Sequence, residues 1–202
     1  MSDKLKSASR QKGFPVAFLI VCALAVAFAL AIRSGIQPAP SAAIGTSFPT
    51  IEAVGWINGP APDESHLQGR VLVVDAWAYW CGPCRALTPT LVKLHEKYKD
   101  RGVQFIGLTS EGSDSESLGQ TTKAVEEEGM TWPNGYGADK TLTQLQVEGI
   151  PQLWVVDAQK KITFHQAGWS PSSAAGLEQA IVDALATVST PAATAEPKKQ
   201  DQ

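Results

Sequence analysis

Cysteine is scarce in this chain: only three of its 202 residues are cysteines. Three cysteines are too few for a framework of several disulfides. Cys22 lies within a long apolar run near the N-terminus, which leaves Cys81 and Cys84 as the pair in the rest of the chain. Two cysteines separated by two residues, with no other cysteine nearby, indicate redox chemistry more readily than a structural cross-link.

The chain also lacks an excess of positive charge and any internal repeat. Lysine and arginine number 17 against 20 acidic residues, for a formal net charge of -3, and the globular part carries no basic stripe. Nucleic acid is therefore not expected as a partner. Once the apolar run and the polar ends are set aside, about 140 residues remain, which is enough for one domain with a real core.

The N-terminus has the pattern of a membrane anchor. Residues 1–13 are polar and basic, and residues 14–32 are almost entirely apolar. A helix of that length would reach about 28 Å, roughly the thickness of the hydrocarbon core. The basic flank predicts a cytoplasmic N-terminus with the rest of the chain outside. The alternative is a signal peptide cleaved after Ala29 or Ala31, but removable apolar segments are usually shorter.

After this segment the sequence predicts a linker over residues 33–47, a globular domain over residues 48–187 and a disordered tail over residues 188–202. Within the domain, residues 48–69 are irregular and are expected to hold short strands at a sheet edge. Residues 132–135 have the composition of a turn, and Asp139 is expected to cap a short helix. Strands are predicted at 71–74, 103–108, 152–156 and 162–166, and helices at 84–99, 115–128, 139–146 and 172–187.

The order of these elements predicts an α/β fold. Right-handed strand–helix–strand crossovers place the first two strands side by side and parallel, with helices on both faces of the sheet. The last two strands form a hairpin that adds an antiparallel edge, so the sheet is mixed.

The cysteine pair lies at the predicted change from strand to helix. Cys81 is expected at the helix N-terminus, where unpaired N–H groups and the helix dipole favour a thiolate. We therefore expect Cys81 to attack a substrate disulfide and Cys84 to resolve the resulting mixed disulfide. A zinc site would need two further ligands. His66, His95 and His165 are the histidine candidates, and none of them stands in a ligand motif.

Asp75 is the candidate proton acceptor. It lies near the end of an apolar strand, where burial raises the pKa of a carboxyl group and allows it to take a proton from Cys84 through water. The alternative is an aspartate that is capped or reaches solvent at the strand end. The acidic run over residues 126–128 is assigned no chemistry.

Two motifs together resemble the thioredoxin superfamily over about residues 69–185. They consist of Asp75, Trp77, Ala78, Trp80, Cys81, Gly82, Pro83 and Cys84, and much later Gly149, Ile150 and Pro151. The resemblance implies a three-layer α/β/α fold with a central mixed sheet. It also implies a redox-active Cys81–Cys84 disulfide, with no other cofactor and no metal, and a proton-transfer role for Asp75.

The resemblance extends to the surroundings of the disulfide. It implies a cis bond before Pro151, beside the cysteines, with the backbone of Ile150 pairing with an extended substrate. Trp80 is expected at the rim of the site. Gly168 matches a family glycine that lets substrate approach, and the alternative for Gly168 is an ordinary turn glycine. Gly82 and Pro83 resemble the dipeptide of reducing members of the family.

Seventy positions separate Cys81 from Pro151, which is longer by roughly 25 than a minimal thioredoxin requires, and the extra length falls around residues 111–132. With the N-terminal anchor, this is similar to the membrane-tethered TlpA/ResA-like branch related to cytochrome c maturation. Members of that branch often have Asn at the position of Asp75 and Thr at the position of Ile150.

The expected function is a membrane-tethered reductase of disulfides in extracytoplasmic proteins. Because the exterior favours disulfides, such a dithiol needs a membrane electron donor. The alternatives are an oxidase or isomerase of the same fold, and a redox-inactive binding domain, which the intact cysteine pair disfavours.

Overall fold

The computed structural model of the protein describes residues 43–188, apart from the side chains of Glu64 and His66. The predicted basic terminus, the membrane anchor over residues 14–32, most of the linker and nearly all of the predicted tail lie outside the described residues. Between residues 43 and 188, no helix combines the length and the apolar character needed to cross a membrane.

A mixed sheet of six strands forms the centre of the described part. In spatial order the strands run β1-β4-β3-β2-β5-β6. The pairs β2–β3 and β3–β4 are parallel, and the pairs β1–β4, β2–β5 and β5–β6 are antiparallel. The predicted parallel pairing of the first two long strands and the antiparallel hairpin are both confirmed. The strands are β1 (Gly55–Ile57), β2 (Val71–Ala76), β3 (Val103–Leu108), β4 (Asn134–Tyr136), β5 (Gln152–Val156) and β6 (Ile162–Ala167).

Helices cover both faces of this sheet. Side chains alternate along β2, so Val73 faces one apolar cluster and Val74 faces the other. Helices α2, α3 and α5 contribute to the cluster that contains Val73, whereas α1 and α4 contribute to the opposite one. The α/β/α layering predicted from the sequence is therefore confirmed. The helices are α1 (Glu64–Leu67), α2 (Gly82–Tyr98), α3 (Ser115–Glu127), α4 (Asp139–Gln144) and α5 (Ala174–Val188).

Helix α2 forms because its apolar residues recur at helical spacing. Leu87, Leu91 and Leu94 are buried along one face and pack against the sheet. Pro89 lies within the helix without ending it. A short 3₁₀ turn follows, and Gly102 then adopts a left-handed conformation with φ of 85° before β3 begins.

Two local predictions are wrong. Residues 132–135 were expected to form a turn, but Asn134–Tyr136 form β4, which pairs with both β1 and β3. Asn134 is buried, and its side chain donates a hydrogen bond to the carbonyl of Trp132. Pairing with two strands outweighs the local turn preference of Asn-Gly. Asp139 is the first residue of α4 rather than its cap, which is Ala138.

The additional residues between β3 and α4 form a defined structure. They include α3 and β4, and α3 buries Thr121 and Val125. Val125 belongs to the same apolar cluster as Cys84 and Leu87. The predicted polar helix over residues 115–128 thus packs on the face of the sheet that carries α2.

Candidate active site

Cys81 and Cys84 form a disulfide at the N-terminus of α2. Their Cα atoms are 5.3 Å apart and the S–S distance is 2.07 Å. Cys81 is the N-cap residue, and its sulfur accepts a hydrogen bond from the Cys84 N–H at 3.2 Å. Cys81 is only 4% exposed. An N–H donor and the positive end of the helix dipole therefore both point at the Cys81 sulfur, a position that favours negative charge once the disulfide is reduced.

Gly82 and Pro83 form the first turn of α2 between the two cysteines, and both are exposed. Pro83 fits this turn because the first N–H groups of a helix have no intrahelical acceptor. The two residues thus occupy the surface immediately beside the disulfide.

Asp75 lies in β2 and is 3% exposed. By strand alternation it shares a face with Val73 and Trp77, which belong to the apolar cluster containing Cys81 and Cys84. Its Oδ1 atom accepts no hydrogen bond from the described residues. Burial raises the pKa of Asp75 to about 8, and the charge of Glu128 adds to the rise. The predicted burial is confirmed, the direction of the pKa shift agrees with the prediction, and the solvent-reaching alternative is excluded.

Glu128 is a residue of this region that the sequence analysis missed. It is the C-cap of α3, and its side chain is 11% exposed. Oε1 lies 2.7 Å from Nε of Arg85, which follows Cys84 in α2. The sequence analysis did not indicate this contact, because an acidic run at a helix end is ordinarily a solvated face. Only the packing of α3 beside α2 brings Glu128 near Asp75.

The Ile150–Pro151 peptide bond is cis, as the resemblance implied. Pro151 precedes β5, whose first residue, Gln152, pairs with Ala76 at the end of β2. Gly168 follows β6 with φ of 74°, and its N–H donates to the Pro151 carbonyl at 2.8 Å. The structure therefore brings Gly168 to Pro151, at the end of the sheet from which the chain continues to the cysteines.

A groove of about 220 Å³ lies beside the cysteine turn. Trp80 is 61% exposed and lines the groove, and its Nε1–H donates to Oε1 of Glu111 at 2.7 Å. Ile150 forms part of another wall, with Glu148 close by. Trp77 also lines the groove but is buried in the core. An exposed indole, two carboxylates and the segment before Pro151 thus border one depression.

The histidines that the sequence offered as zinc ligands pack against tryptophans. His95 stacks on Trp132 with ring centroids 5.2 Å apart, and His165 stacks on Trp154 at 5.1 Å. Burial lowers the pKa of both imidazoles. Among the residues described, no group of three or more histidine, cysteine, aspartate or glutamate side chains could hold a metal ion. His66 was the third candidate, and its side chain lies outside the described residues.

The fold and the disulfide at the start of α2 define a thioredoxin-like thiol–disulfide oxidoreductase. The Redoxin family matches residues 44–181, and the chain belongs to that family. Proteins of this class carry out their chemistry with a redox-active disulfide and no external cofactor.

Named relatives agree with this class. The chain is 29% identical over 134 residues to the thiol:disulfide interchange protein HelX of Rhodobacter capsulatus, covering 64% of this chain and 70% of HelX. It is 31% identical over 112 residues to the protein DipZ of Mycobacterium tuberculosis, covering 52% of this chain but only 16% of DipZ. A Chlorobium tepidum structure assigned as the thiol:disulfide interchange protein DsbE superposes with a TM-score of 0.63 at 26% identity, covering 71% of this chain and 98% of that one.

Proposed function

We propose that this protein is a membrane-tethered reductase of disulfides in extracytoplasmic proteins, acting through Cys81 and Cys84. The observation that carries the proposal is the Cys81–Cys84 disulfide at the N-terminus of α2, on the sheet face that holds the buried Asp75. The Gly82-Pro83 dipeptide supports the reducing direction. Similarity to a thiol:disulfide interchange protein, HelX, supports protein disulfides as the substrate.

Substrate binding uses the surface around the disulfide. An extended substrate segment lies along Ile150 and pairs with its backbone, and Gly168 leaves room for that segment because it has no side chain. The exposed indole of Trp80 packs against the substrate from the other side of the cysteine turn. Gly82 and Pro83 contact the substrate next to its own disulfide.

The first chemical step is attack by the Cys81 thiolate on one sulfur of the substrate disulfide. A bond forms between Cys81 and that sulfur, and the second substrate sulfur leaves as a thiolate. The N-terminus of α2 favours this step because it stabilises the negative charge on Cys81 before the attack.

In the second step Cys84 resolves the mixed disulfide. Asp75, in its carboxylate form, takes the Cys84 proton through water, and the Cys84 sulfur attacks Cys81. The Cys81–Cys84 bond forms as the bond to the substrate breaks, and the dithiol has passed two electrons to the substrate. A pKa of about 8 suits Asp75 to exchanging a proton near neutral pH.

The protein must then be reduced again. We propose that a membrane electron donor with a dithiol of its own supplies the two electrons, since extracytoplasmic conditions favour the disulfide. Residues 14–32 would hold the domain at the membrane near that donor, with the N-terminus in the cytoplasm. Cytochrome c maturation is the process in which we expect the substrates to be found.

Trapping of the mixed disulfide tests the proposal. The full chain with Cys84→Ser is expected to accumulate a covalent complex with a disulfide-containing protein, because no second thiol can release it. The matched Cys81→Ser variant should form none, and wild type with dithiothreitol should turn the substrate over. Trapping by the Cys81→Ser variant, or absence of turnover by wild type, would contradict the assignment.

A further inference from the structure

Glu128 is an acidic residue whose surroundings do not resemble a solvated surface. Both of its carboxylate oxygens are shielded from solvent, and neither accepts a hydrogen bond from the described residues. Oε1 approaches Nε of Arg85 to 2.7 Å, so the contact is an ion pair without hydrogen-bond alignment. A shielded carboxylate held by one partner is costly compared with an apolar side chain of similar volume.

The position of this ion pair links it to the redox centre. Arg85 is the residue after Cys84, in the first turns of α2, and Glu128 ends α3, whose Val125 packs in the cluster that holds Cys84. Asp75 faces the same cluster from β2. The ion pair therefore joins two of the three helices that lie over the face carrying Asp75.

Glu128 is the charged group that acts on Asp75 among the residues described. Apart from burial, the negative charge of Glu128 is the cause of the raised pKa of Asp75. On the neighbouring strands, the register partners of Asp75 are Gly107 and Leu153, which are uncharged. Helix α2 contributes Cys81, Cys84 and Leu87 to the cluster that Asp75 faces, and α5 contributes Leu177 and Ile181, all of them uncharged. Arg85, on α2, is paired with Glu128 itself.

We propose that Glu128 is a positioning residue for proton transfer between Asp75 and Cys84, held in place by Arg85. This rests on the proposed function, in which Asp75 exchanges that proton. When a donor dithiol opens the Cys81–Cys84 bond, the Cys84 sulfur leaves with an electron pair and takes a proton from Asp75. Burial is the main reason why Asp75 holds that proton near neutral pH, and the negative charge of Glu128 adds to it, so that the proton is in place for the step.

The first test is the titration of Asp75 in the oxidised full chain, followed by infrared spectroscopy with ¹³C-labelled aspartate between pH 5 and 9. The Asp75 band is the one absent from Asp75→Asn. The wild-type midpoint is expected at about 8. Glu128→Gln should lower it by about one unit, because a like charge is removed. Glu127→Gln makes the same change at an exposed neighbouring position and should leave the Asp75 midpoint unchanged.

A second neutral variant separates charge from packing. Glu128→Leu leaves no unpaired polar group in the shielded site, and Arg85 can remain solvated because its side chain is 59% exposed, so a folded protein is expected. Both neutral variants should lower the midpoint, whereas Glu128→Asp should restore it toward wild type. An unchanged Asp75 midpoint in either folded neutral variant would overturn the proposal.

The second test follows the rate at which dithiothreitol reduces the disulfide, as a function of pH. Glu128→Gln should shift this profile toward lower pH in the wild-type background and leave it unshifted in the Asp75→Asn background. An equal shift in both backgrounds would show that Glu128 does not act through Asp75. The Asp75 titration needs no substrate. Its outcome therefore tests the role of Glu128 separately from the reductase function, which the trapping experiment tests.

Discussion

Replacement of Asp75 by Asn should make the protein increasingly stable relative to wild type as the pH rises. In the folded chain, burial and the charge of Glu128 raise the pKa of Asp75 from 3.8 to about 8. In the unfolded chain the side chain is solvated and ionises near pH 3.9. Between these two values the folded state holds one proton more than the unfolded state, so the stability of wild type falls with rising pH. Asn carries no titrating proton and removes this dependence.

The size of the effect follows from the two pKa values. They differ by about four units, and each unit corresponds to about 1.4 kcal/mol, so the full effect is on the order of 6 kcal/mol between pH 4 and 8. From pH 5 to 7, the free energy of unfolding of Asp75→Asn should rise relative to wild type by about 3 kcal/mol. Groups that titrate alike in both proteins cancel in this difference.

Urea unfolding of both proteins with the disulfide intact, at pH 5, 6, 7 and 8, measures this difference. Asp183→Asn makes the same chemical change at an exposed position and serves as the control. A difference between Asp75→Asn and wild type that stays constant over this range would refute the raised pKa and, with it, the proton-transfer role.

Three further outcomes are expected. Asp75→Asn should slow substrate reduction near neutral pH, and equal rates for the two proteins across pH 6–9 would remove Asp75 from the mechanism. Trp80→Ala should raise KM for a protein disulfide several-fold with little change in stability, because Trp80 is 61% exposed. Steady-state kinetics measures KM and thermal unfolding measures the stability, and an unchanged KM would exclude a substrate contact. Leu87→Ala should destabilise the fold by about 2–5 kcal/mol, because Leu87 is fully buried on the face of α2 that packs against the sheet. Urea unfolding measures this, and a loss below about 1 kcal/mol would contradict the packing described.

The features that local sequence determines were predicted well. The run over residues 103–108 is apolar apart from Gln104 and forms β3 within those bounds. The turn at Trp80 leads into a helix whose N-terminus carries Cys81, as the change from strand to helix composition indicated. β2 extends two residues beyond its prediction, through Asp75 and Ala76, because both residues pair with β3 and β5.

The features that depend on distant parts of the chain were not predicted. Asn134 and Gly135 have turn propensity, and only the presence of strands on both sides makes them part of β4. Glu128 looked like a solvated charge because its partner, Arg85, is far away in sequence and belongs to another helix. Hydrophobic periodicity reports burial on one element, and it carries no information on which charged groups meet across two elements.

The reduction potential of the Cys81–Cys84 pair tests the central claim most directly. The full chain carries Cys22→Ser, so that the free thiols measured come only from Cys81 and Cys84. It is equilibrated with dithiothreitol and with glutathione buffers, and the fraction of free thiols is measured. A reductase predicts a value near that of thioredoxin, about −270 mV. A value near that of the strong periplasmic oxidant DsbA, about −120 mV, would contradict the reducing direction and indicate disulfide formation instead.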